Sequence, residues 1–273
     1  MPITTLDGAI AGAKPPEAFI KAGATMEAAG VFHSYLYTAG RPGAAVAPAP
    51  GLNGAALTTY AGQIPVPAAS ANTHLYRFSA SSTGSGVLRL YDRLWHNSGL
   101  VVTTTTAQAM TPVAIPARDK TGTTAGDGVQ AAIEVSTATT NAAAVTNMTI
   151  SYTNQAGTAG KVGTISATQP GGGFPATAVA GTLCFFELAA GDTGVRSVES
   201  VTLGTSLVTG AVHIVLVRLI AEAQITSSNV GTDKDFITSG GPRVYDNSVP
   251  FLVFCPTSTT AAFTHGSVTF TQG

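Results

Sequence analysis

The stretch MTISYTNQAGTAGKVGTIS, residues 148–166, decides the fold class. Met148, Ile150 and Tyr152 alternate with polar residues, which is the period of a half-buried β-strand. Residues 154–160 are rich in glycine and other turn formers, and apolar residues alternate with polar ones again after them. This pattern predicts two antiparallel strands joined by a turn, which is a β-hairpin.

Similar short runs rich in Val, Ile, Thr, Tyr and Phe recur from about Leu75 to the end of the chain. Clusters of Gly, Asn, Asp or Pro separate them, and ten or more residues of helical periodicity never intervene. The sequence therefore predicts an all-β fold, an antiparallel β-sandwich of jelly-roll-like type. The predicted strands lie near residues 75–79, 86–95, 100–106, 129–137, 146–153, 161–167, 183–188, 194–203, 211–220, 250–255 and 263–271.

The composition argues against electrostatic partners. Charged residues make up 10% of the 273 residues and the net charge is −1, whereas an average soluble domain has roughly 25% charged residues. We therefore expect neither nucleic acid nor an anionic membrane as a partner. No apolar run reaches the roughly 20 residues that cross a bilayer, and no secretory signal is recognised. A surface so poor in charge favours self-association, so we expect a homo-oligomer, for which a trimer is plausible.

The first 62 residues differ in composition from the rest. EAFIKAGATMEAAG, residues 17–30, follows two prolines and ends in a glycine, which predicts a short helix. VFHSYLYTAG, residues 31–40, predicts a strand, and the segment after it is uncharged and rich in Pro, Ala and Gly. We therefore expect an N-terminal arm, residues 1–62, followed by a β-sandwich domain, residues 63–273.

The apolar side chains of this arm are candidates to contact neighbouring subunits. The predicted helix has too few large apolar residues to stabilise itself, and the Pro/Ala/Gly-rich segment is too apolar for a free linker. In the alternative interpretation, the arm packs on its own domain as part of the same core. The candidate interface and anchor residues are Phe19, Ile20, Met26, Phe32 and Leu36.

The densest group of chemically capable side chains lies in LRLYDRLWHNSGL, residues 88–100. Alternation along a strand puts Asp92 on one face and Arg93 with Trp95 on the other, so the group is split between two faces. We expect Asp92, Arg93 and Trp95 to form a structural cluster. In it, Asp92 pairs with Arg93 or Arg89, and Trp95 is a packing anchor.

Other polar residues do not combine into a recognisable chemical motif. The remaining histidines lack the spacing of a zinc site, and the glycine-rich segments do not connect a strand to a helix as phosphate-binding loops do. Cys184 and Cys255 lie in apolar runs and are expected to be buried free thiols. We therefore expect no catalytic residues, no metal site, no cofactor and no enzymatic activity.

One stretch of the sequence carries a resemblance. GDTGVRSVESVTLGTSLVTGAVHIVLVRLIAEAQI, residues 191–225, resembles virion structural proteins of tailed bacteriophages that are encoded near the head genes. LYDRLWHNSGL, residues 90–100, and NMTISYTNQAG, residues 147–157, are similar to segments of the same kind of protein. The resemblance spans about residues 75–272. It implies a β-rich outer component of the particle, such as a capsid decoration or cement protein, a head fibre or a tail component.

The expected function is therefore structural. We expect a capsid decoration protein that binds the major capsid protein or other virion proteins, stabilises the outer shell and resides in the virion. Assembly in the host cytoplasm fits a chain in which no secretory signal is recognised and no disulfide is expected. The alternatives are a tail, collar or head-fibre component, and a carbohydrate-binding adhesin module whose exposed Tyr, Trp and His side chains hold a glycan.

Overall fold

The structure is a computed structural model that describes residue 3 and residues 5–23, 28–167, 172–259 and 261–273. The described chain is nearly all antiparallel β-structure arranged in packed layers, so the all-β, sandwich-like fold class is confirmed, while the jelly-roll-like strand order stays a prediction. In chain order the elements are α1 (Leu6–Ala11), β1 (Glu17–Lys21), β2 (Phe32–Ser34), a 3₁₀ turn (Tyr35–Tyr37), β3 (Gly40–Arg41), β4 (Ala55–Ala56), β5 (Thr73–Ser82), β6 (Gly86–His96), β7 (Gln108–Ala109), β8 (Val129–Thr137), β9 (Thr149–Asn154), β10 (Lys161–Thr164), β11 (Thr182–Phe185), β12 (Val195–Thr202), β13 (Ala211–Ile225), β14 (Thr232–Asp235), α2 (Phe236–Ser239), β15 (Arg243–Val244), β16 (Pro250–Pro256) and β17 (Thr264–Gln272).

One of the three sheets closes into a barrel, which forms the middle layer of the fold. Its strands follow one another in the order β13, β8, β11, β2, β16 and β6, and β6 pairs back with β13 to close the ring. All of these pairings are antiparallel. The long β13 makes the closure possible, because its first half pairs with β8 while most of its length pairs with β6. One buried cluster takes side chains from five of these strands and therefore fills the interior: Leu36, Tyr91, Ala132, Leu183, Val215, Val217, Phe251 and Val253.

Two further sheets pack on the outside of the barrel. The first has the order β14, β5, β17, β1 and β3, with β15 also paired to β5. Its core against the barrel includes Phe78 and Phe270 from the sheet and Leu88 and Phe254 from the barrel. The second sheet has the order β10, β9, β12 and β7, and its core joins Ile150 and Val198 to barrel residues such as Ile133 and Leu216.

A β-bulge in β6 changes which side chains enter the barrel. Val217 pairs with Arg93 and Leu216 pairs with Trp95, so Leu94 is an extra residue without a partner in β13. The extra residue shifts the alternation of the strand by one position. Leu94 and Trp95 consequently both lie in the outer core facing the second sheet. The even alternation that the sequence predicts for residues 88–96 is therefore wrong beyond the bulge.

The helix predicted over residues 17–30 is wrong at its start. Glu17–Lys21 is strand β1, paired along its whole length with β17, from Glu17 opposite Val268 to Lys21 opposite Thr264. Strand pairing outweighs the weak helix propensity of this segment because propensity is only a small local term. The helix of the N-terminal region is α1 instead, where the Thr5 side chain accepts a hydrogen bond from the backbone N–H of Gly8 at 3.0 Å.

Residues from the predicted arm contribute to two layers. Strand β1 belongs to the first outer sheet, and β2 is a member of the barrel. The side chains of Phe19 and Leu36 are 2% and 1% exposed. The Phe19 ring lies 6.3 Å from that of Phe78, between ring centres. The boundary near residue 62 stays a prediction that truncation of the chain can test.

One of the predicted strands is absent from the described chain. Residues 100–106 form a loop in which the N–H of Thr104 donates to the carbonyl of Val101 at 3.0 Å. The loop is further held by Gln108, whose side chain bonds both the N–H and the carbonyl of Val101. Side-chain bonds replace strand pairing there, which a pattern of β-branched residues does not reveal.

Candidate functional site

A buried ion pair lies inside the barrel. The Arg93 Nη2 atom donates to Glu134 Oε2 at 2.6 Å, and both side chains are 0% exposed. The Tyr37 hydroxyl donates to the same carboxylate oxygen at 2.8 Å, and Arg93 Nε donates to His96 Nδ1 at 3.1 Å. We call these four residues, Arg93, Glu134, Tyr37 and His96, the barrel centre. The bulge at Leu94 is what brings His96 to the same side of β6 as Arg93.

The charges of the barrel centre compensate each other. Burial by itself raises the pKa of Glu134, but the attraction of Arg93 and the hydrogen bonds from Arg93 and Tyr37 outweigh it and hold that pKa below its usual value. Burial and the positive charge of Arg93 together lower the pKa of His96 to about 3. His96 is therefore neutral, which agrees with its Nδ1 acting as a hydrogen-bond acceptor.

Aromatic rings enclose the Arg93 side chain. The guanidinium carbon lies 5.5 Å from the centre of the Tyr60 ring and 5.7 Å from that of Phe251. The Tyr60 ring also packs edge-on against His96, with 4.9 Å between ring centres. Because Arg93 and Glu134 are fully shielded and their charges are paired, the arrangement is suited to holding the barrel strands together.

A second polar group lies on the outer wall of the barrel around Asp92. Its carboxylate accepts hydrogen bonds from the N–H of Val249 and the hydroxyl of Ser248, both at 2.8 Å. Arg118 Nε lies 3.3 Å and Arg218 Nη2 lies 3.6 Å from Asp92 Oδ2. The Asp92 side chain is 0% exposed, so two buried guanidinium groups share one buried carboxylate.

Arg243 and Tyr245 complete this group. The guanidinium carbons of Arg218 and Arg243 each lie 5.2 Å from the centre of the Tyr245 ring, so the ring is shared by two cations. Arg218 also donates to the carbonyl of Arg243 at 3.1 Å. Gly122, with a φ of 81°, packs on the same ring, and a Cβ atom there would lie 2.9 Å from it. We call Arg118, Arg218 and Arg243 the arginine cluster.

The loop that carries Arg118 is organised by Asp119. The two carboxylate oxygens of Asp119 accept six hydrogen bonds, from backbone N–H groups and hydroxyls of Thr121, Thr123, Gly126 and Asp127. Burial raises the pKa of Asp119, but these hydrogen bonds outweigh it and the pKa lies below its usual value. The carboxylate is thus ionised and fully engaged within its own loop.

Asp92, Arg93 and Trp95 are all buried, but they lie in three different environments, and the ion pairs of Asp92 and Arg93 differ from the predicted ones. Asp92 pairs with Arg118 and Arg218, whereas Arg93 pairs with Glu134. The remaining candidate, Arg89, pairs with Glu222 at 2.6 Å. The bonding partners come from distant strands, which the spacing within residues 88–100 does not reveal.

Trp95 packs in the outer core, as the sequence analysis expects. Its side chain is 2% exposed and belongs to the core between the barrel and the second outer sheet. Gly54, with a φ of 71°, allows the backbone to pass close to the Trp95 ring. A Cβ atom at residue 54 would lie 2.3 Å from that ring. The carbohydrate-binding alternative required exposed aromatic side chains, and Trp95 is not available for that purpose.

The five candidate interface residues fall into different environments. Phe19 and Leu36 are core residues of this chain, so they do not present a free surface to a neighbour. Phe32 is half-buried, packed edge-on against Phe185 with 5.4 Å between ring centres. Ile20 is 41% exposed. Met26 lies outside the described residues.

Sequence reasoning missed the residues that complete both polar groups. Glu134 is a lone acid within the apolar strand VQAAIEVST, and Arg218 interrupts the apolar run of β13. Buried charges are rare unless they are paired. A charge within an apolar strand was therefore the signal that pointed to a buried partner. The positions of Arg118 and Arg243 in loops and short strands gave no such signal.

No group of three His, Cys, Asp or Glu side chains within the described ranges is arranged to hold a metal ion. No helix in the described part of the chain is long and apolar enough to cross a bilayer. Both cysteines are free thiols, Cys184 buried and Cys255 half-buried.

The chain matches no protein-family model, no curated protein and no solved structure.

Proposed function

We propose that this chain is a structural protein of a bacteriophage particle, a capsid decoration protein that binds the outer shell and stabilises it through contacts between subunits. The proposal rests on the sequence resemblance described above and on one structural observation. That observation is the exposure of three apolar side chains on the N-terminal segment, residues 5–21, which is attached to β17 of the first outer sheet.

The N-terminal segment is fixed along its length to β17. The N–H of Lys14 donates to the carbonyl of Phe270 at 2.8 Å, and the Thr271 hydroxyl donates to the carbonyl of Ala9. Strand β1 then continues the pairing with β17. The segment is therefore held by the chain itself, and its outward side chains are presented on a rigid support.

Three side chains of this segment form what we call the apolar margin. Leu6 is 52% exposed, Ile10 is 54% exposed and Ile20 is 41% exposed. Covering a half-exposed aliphatic side chain contributes on the order of 1 kcal/mol. Repeated in every copy around a shell, a contribution of this size adds to the stability of the particle, which is the task of a decoration protein.

Variants of the apolar margin test the proposal. Replacing Leu6, Ile10 and Ile20 together by serine should weaken binding to shells assembled without this protein by roughly tenfold or more, because apolar burial is lost at each contact. The matched control is Val162→Ser on β10, which is 52% exposed on the other outer sheet. Equal binding of the triple variant and the control would contradict the proposed contact surface.

Copy number distinguishes a shell protein from the tail, collar and fibre alternatives. A decoration protein should accompany the major capsid protein at a fixed and high ratio in purified particles, as measured on a stained gel. A few copies in each particle would favour a tail or fibre component. Complete absence from purified particles would contradict every virion role.

A further inference from the structure

Among the described residues, the arginine cluster has more guanidinium groups than ion-paired carboxylates. Arg118 and Arg218 share the single carboxylate of Asp92, and Arg243 has no ion-pair partner among the described residues. Among the described residues, Asp92 is thus the one carboxylate within ion-pair distance of the three guanidinium groups, and Asp246 is a second acid that lines a cleft beside them. Asp119, the neighbour of Arg118 in sequence, is in no ion pair with the cluster among the described residues, and its oxygens accept hydrogen bonds from its own loop.

Several N–H groups of the cluster lack an acceptor. Within the described chain, Arg118 Nη1, Arg218 Nε and Arg243 Nε are buried atoms without a hydrogen-bond partner, and Arg118 Nε has only the 3.3 Å ion-pair contact with Asp92 Oδ2. Arg118 and Arg218 are themselves 3% and 5% exposed. A buried donor without an acceptor is costly, and such groups are uncommon in folded proteins. Donors of this kind are suited to an acceptor with several oxygen atoms.

Two clefts flank Arg243. A cleft of about 310 Å³ is lined by Arg118, Arg243 and Tyr245, and Asp246 lies at its exposed side. A second cleft of about 360 Å³ is lined by Lys120, Arg218 and Arg243. A small polyatomic ion therefore has space beside Arg118 and Arg243 in the first cleft, and Arg218 and Lys120 line the neighbouring cleft on the other side of Arg243.

We propose that the arginine cluster binds a phosphate-class dianion, as free phosphate or as the phosphoryl group of a small ligand. Arg118 and Arg243 line one cleft and both carry N–H donors without an acceptor among the described residues, and guanidinium groups bind phosphate oxygens through paired N–H donors. The guanidinium groups of Arg218 and Arg243 both pack on the Tyr245 ring, which limits the conformations that the two side chains can adopt. This site is independent of the proposed shell contact, because the apolar margin lies on a different segment of the chain.

Titration calorimetry of the full chain with inorganic phosphate tests the proposal. Chloride keeps the ionic strength constant, so that nonspecific screening does not change. We expect one phosphate bound to each chain, similar binding of sulfate and at least tenfold weaker binding of acetate. Tighter binding of glycerol 3-phosphate than of phosphate would identify the phosphoryl group of a larger ligand as the natural occupant.

Two variants and one control make the test specific. Arg243→Gln should weaken phosphate binding by roughly tenfold or more, since it removes a charged donor that has no ion-pair partner. Arg196→Gln, on the exposed surface of β12, removes the same charge and should change the affinity less than twofold. Asp246→Asn should tighten binding about threefold, because it removes a negative charge beside the cleft.

The tightening by Asp246→Asn is a result that a misfolded variant cannot produce, so the proposal does not depend on Arg243→Gln folding well. Absence of phosphate binding to the full chain would overturn the proposal. Equal weakening by Arg243→Gln and Arg196→Gln would also overturn it, because it would show binding to the general positive charge of the protein.

Discussion

The Arg93 guanidinium and the Glu134 carboxylate meet at 2.6 Å inside the barrel, and neither side chain has any exposed surface. The two residues belong to β6 and β8, which are neighbours of β13 on opposite sides. The pair therefore spans the interior between strands that are not hydrogen-bonded to each other. Its energetic role differs from that of a surface ion pair, because each charge depends on the other to remain buried.

Removing one partner of the Arg93–Glu134 pair should lower the free energy of unfolding much more than replacing both residues by apolar ones. Glu134→Leu leaves Arg93 charged without its partner and should lower the free energy of unfolding by about 3–5 kcal/mol, whereas combining it with Arg93→Met should recover most of that loss. Urea denaturation measures both. Asp233→Asn is the control, since it breaks the exposed Arg77–Asp233 pair and should cost about 1 kcal/mol or less. The prediction would be contradicted if Glu134→Leu lowered the free energy of unfolding no more than Asp233→Asn does.

Three histidines should make the protein sensitive to mild acid. Burial lowers the pKa of His33 to about 4 and that of His96 to about 3, and the pKa of His213 is also lowered by burial. Below pH 6.5 the unfolded chain takes up protons that the folded chain does not, so stability is complete above pH 6.5 and decreases as the pH falls towards 4. Each histidine contributes up to about 1.4 kcal/mol per pH unit.

Denaturant unfolding between pH 7.5 and 4.5 measures this slope. The range stops at pH 4.5 because carboxylates with lowered pKa values, such as Glu134, contribute below it. His96→Gln should reduce the slope, since glutamine retains an acceptor for Arg93 and does not titrate. His265→Gln, on the exposed surface of β17, is the control for the replacement of a histidine by glutamine. A slope that is the same in all three proteins would rule out this role for His96.

The two cysteines should differ in reactivity. Burial raises the pKa of the Cys184 thiol to about 12, and burial also raises the pKa of Cys255 although Arg89 opposes it. Since the thiolate is the reactive form, Cys184 should resist a thiol reagent in the native protein while Cys255, which is half-buried, reacts slowly. Mass spectrometry after timed labelling at pH 8 follows both. A disulfide between them in the native protein would contradict the prediction that both remain reduced.

Removal of residues 1–62 should destabilise the whole fold. The composition of residues 1–62 predicts a separable arm. However, a chain that begins at Gln63 would lose β1 from the first outer sheet and β2 from the barrel. It would also lose the Tyr35 ring, which packs 5.9 Å from that of Phe254. We expect an insoluble or unfolded product. A soluble truncated chain with β-type circular dichroism and cooperative melting would show instead that the arm is separable.

Local patterns were enough to find most strands. The hairpin predicted over residues 148–166 is present as β9 and β10, with Tyr152 opposite Lys161, because strand alternation and the glycine-rich turn are both contained within a few residues. Strand β8 was also predicted at its observed bounds, Val129–Thr137. Strand β1 was missed because its partner is β17 at the other end of the chain, so nothing near Glu17 indicates it.

The polar groups could not be assembled from sequence for the same reason. The bulge at Leu94 depends on how β6 pairs with β13, and without it the sequence assigns His96 and Trp95 to the wrong faces. Arg118, Arg218 and Arg243 come from a loop and two strands and meet only in the folded protein. Spacing within one segment carries no information about contacts of this kind.

The closed ring of β13, β8, β11, β2, β16 and β6 has a consequence for solubility. A strand at the open side of a sheet offers unsatisfied N–H and C=O groups that recruit a strand from another molecule, and proteins commonly use charged residues to discourage this. With 10% charged residues, this chain has few of them. The ring instead gives every one of its strands two neighbours within the same molecule. Topology thus protects the middle layer against intermolecular strand addition where most proteins use charge.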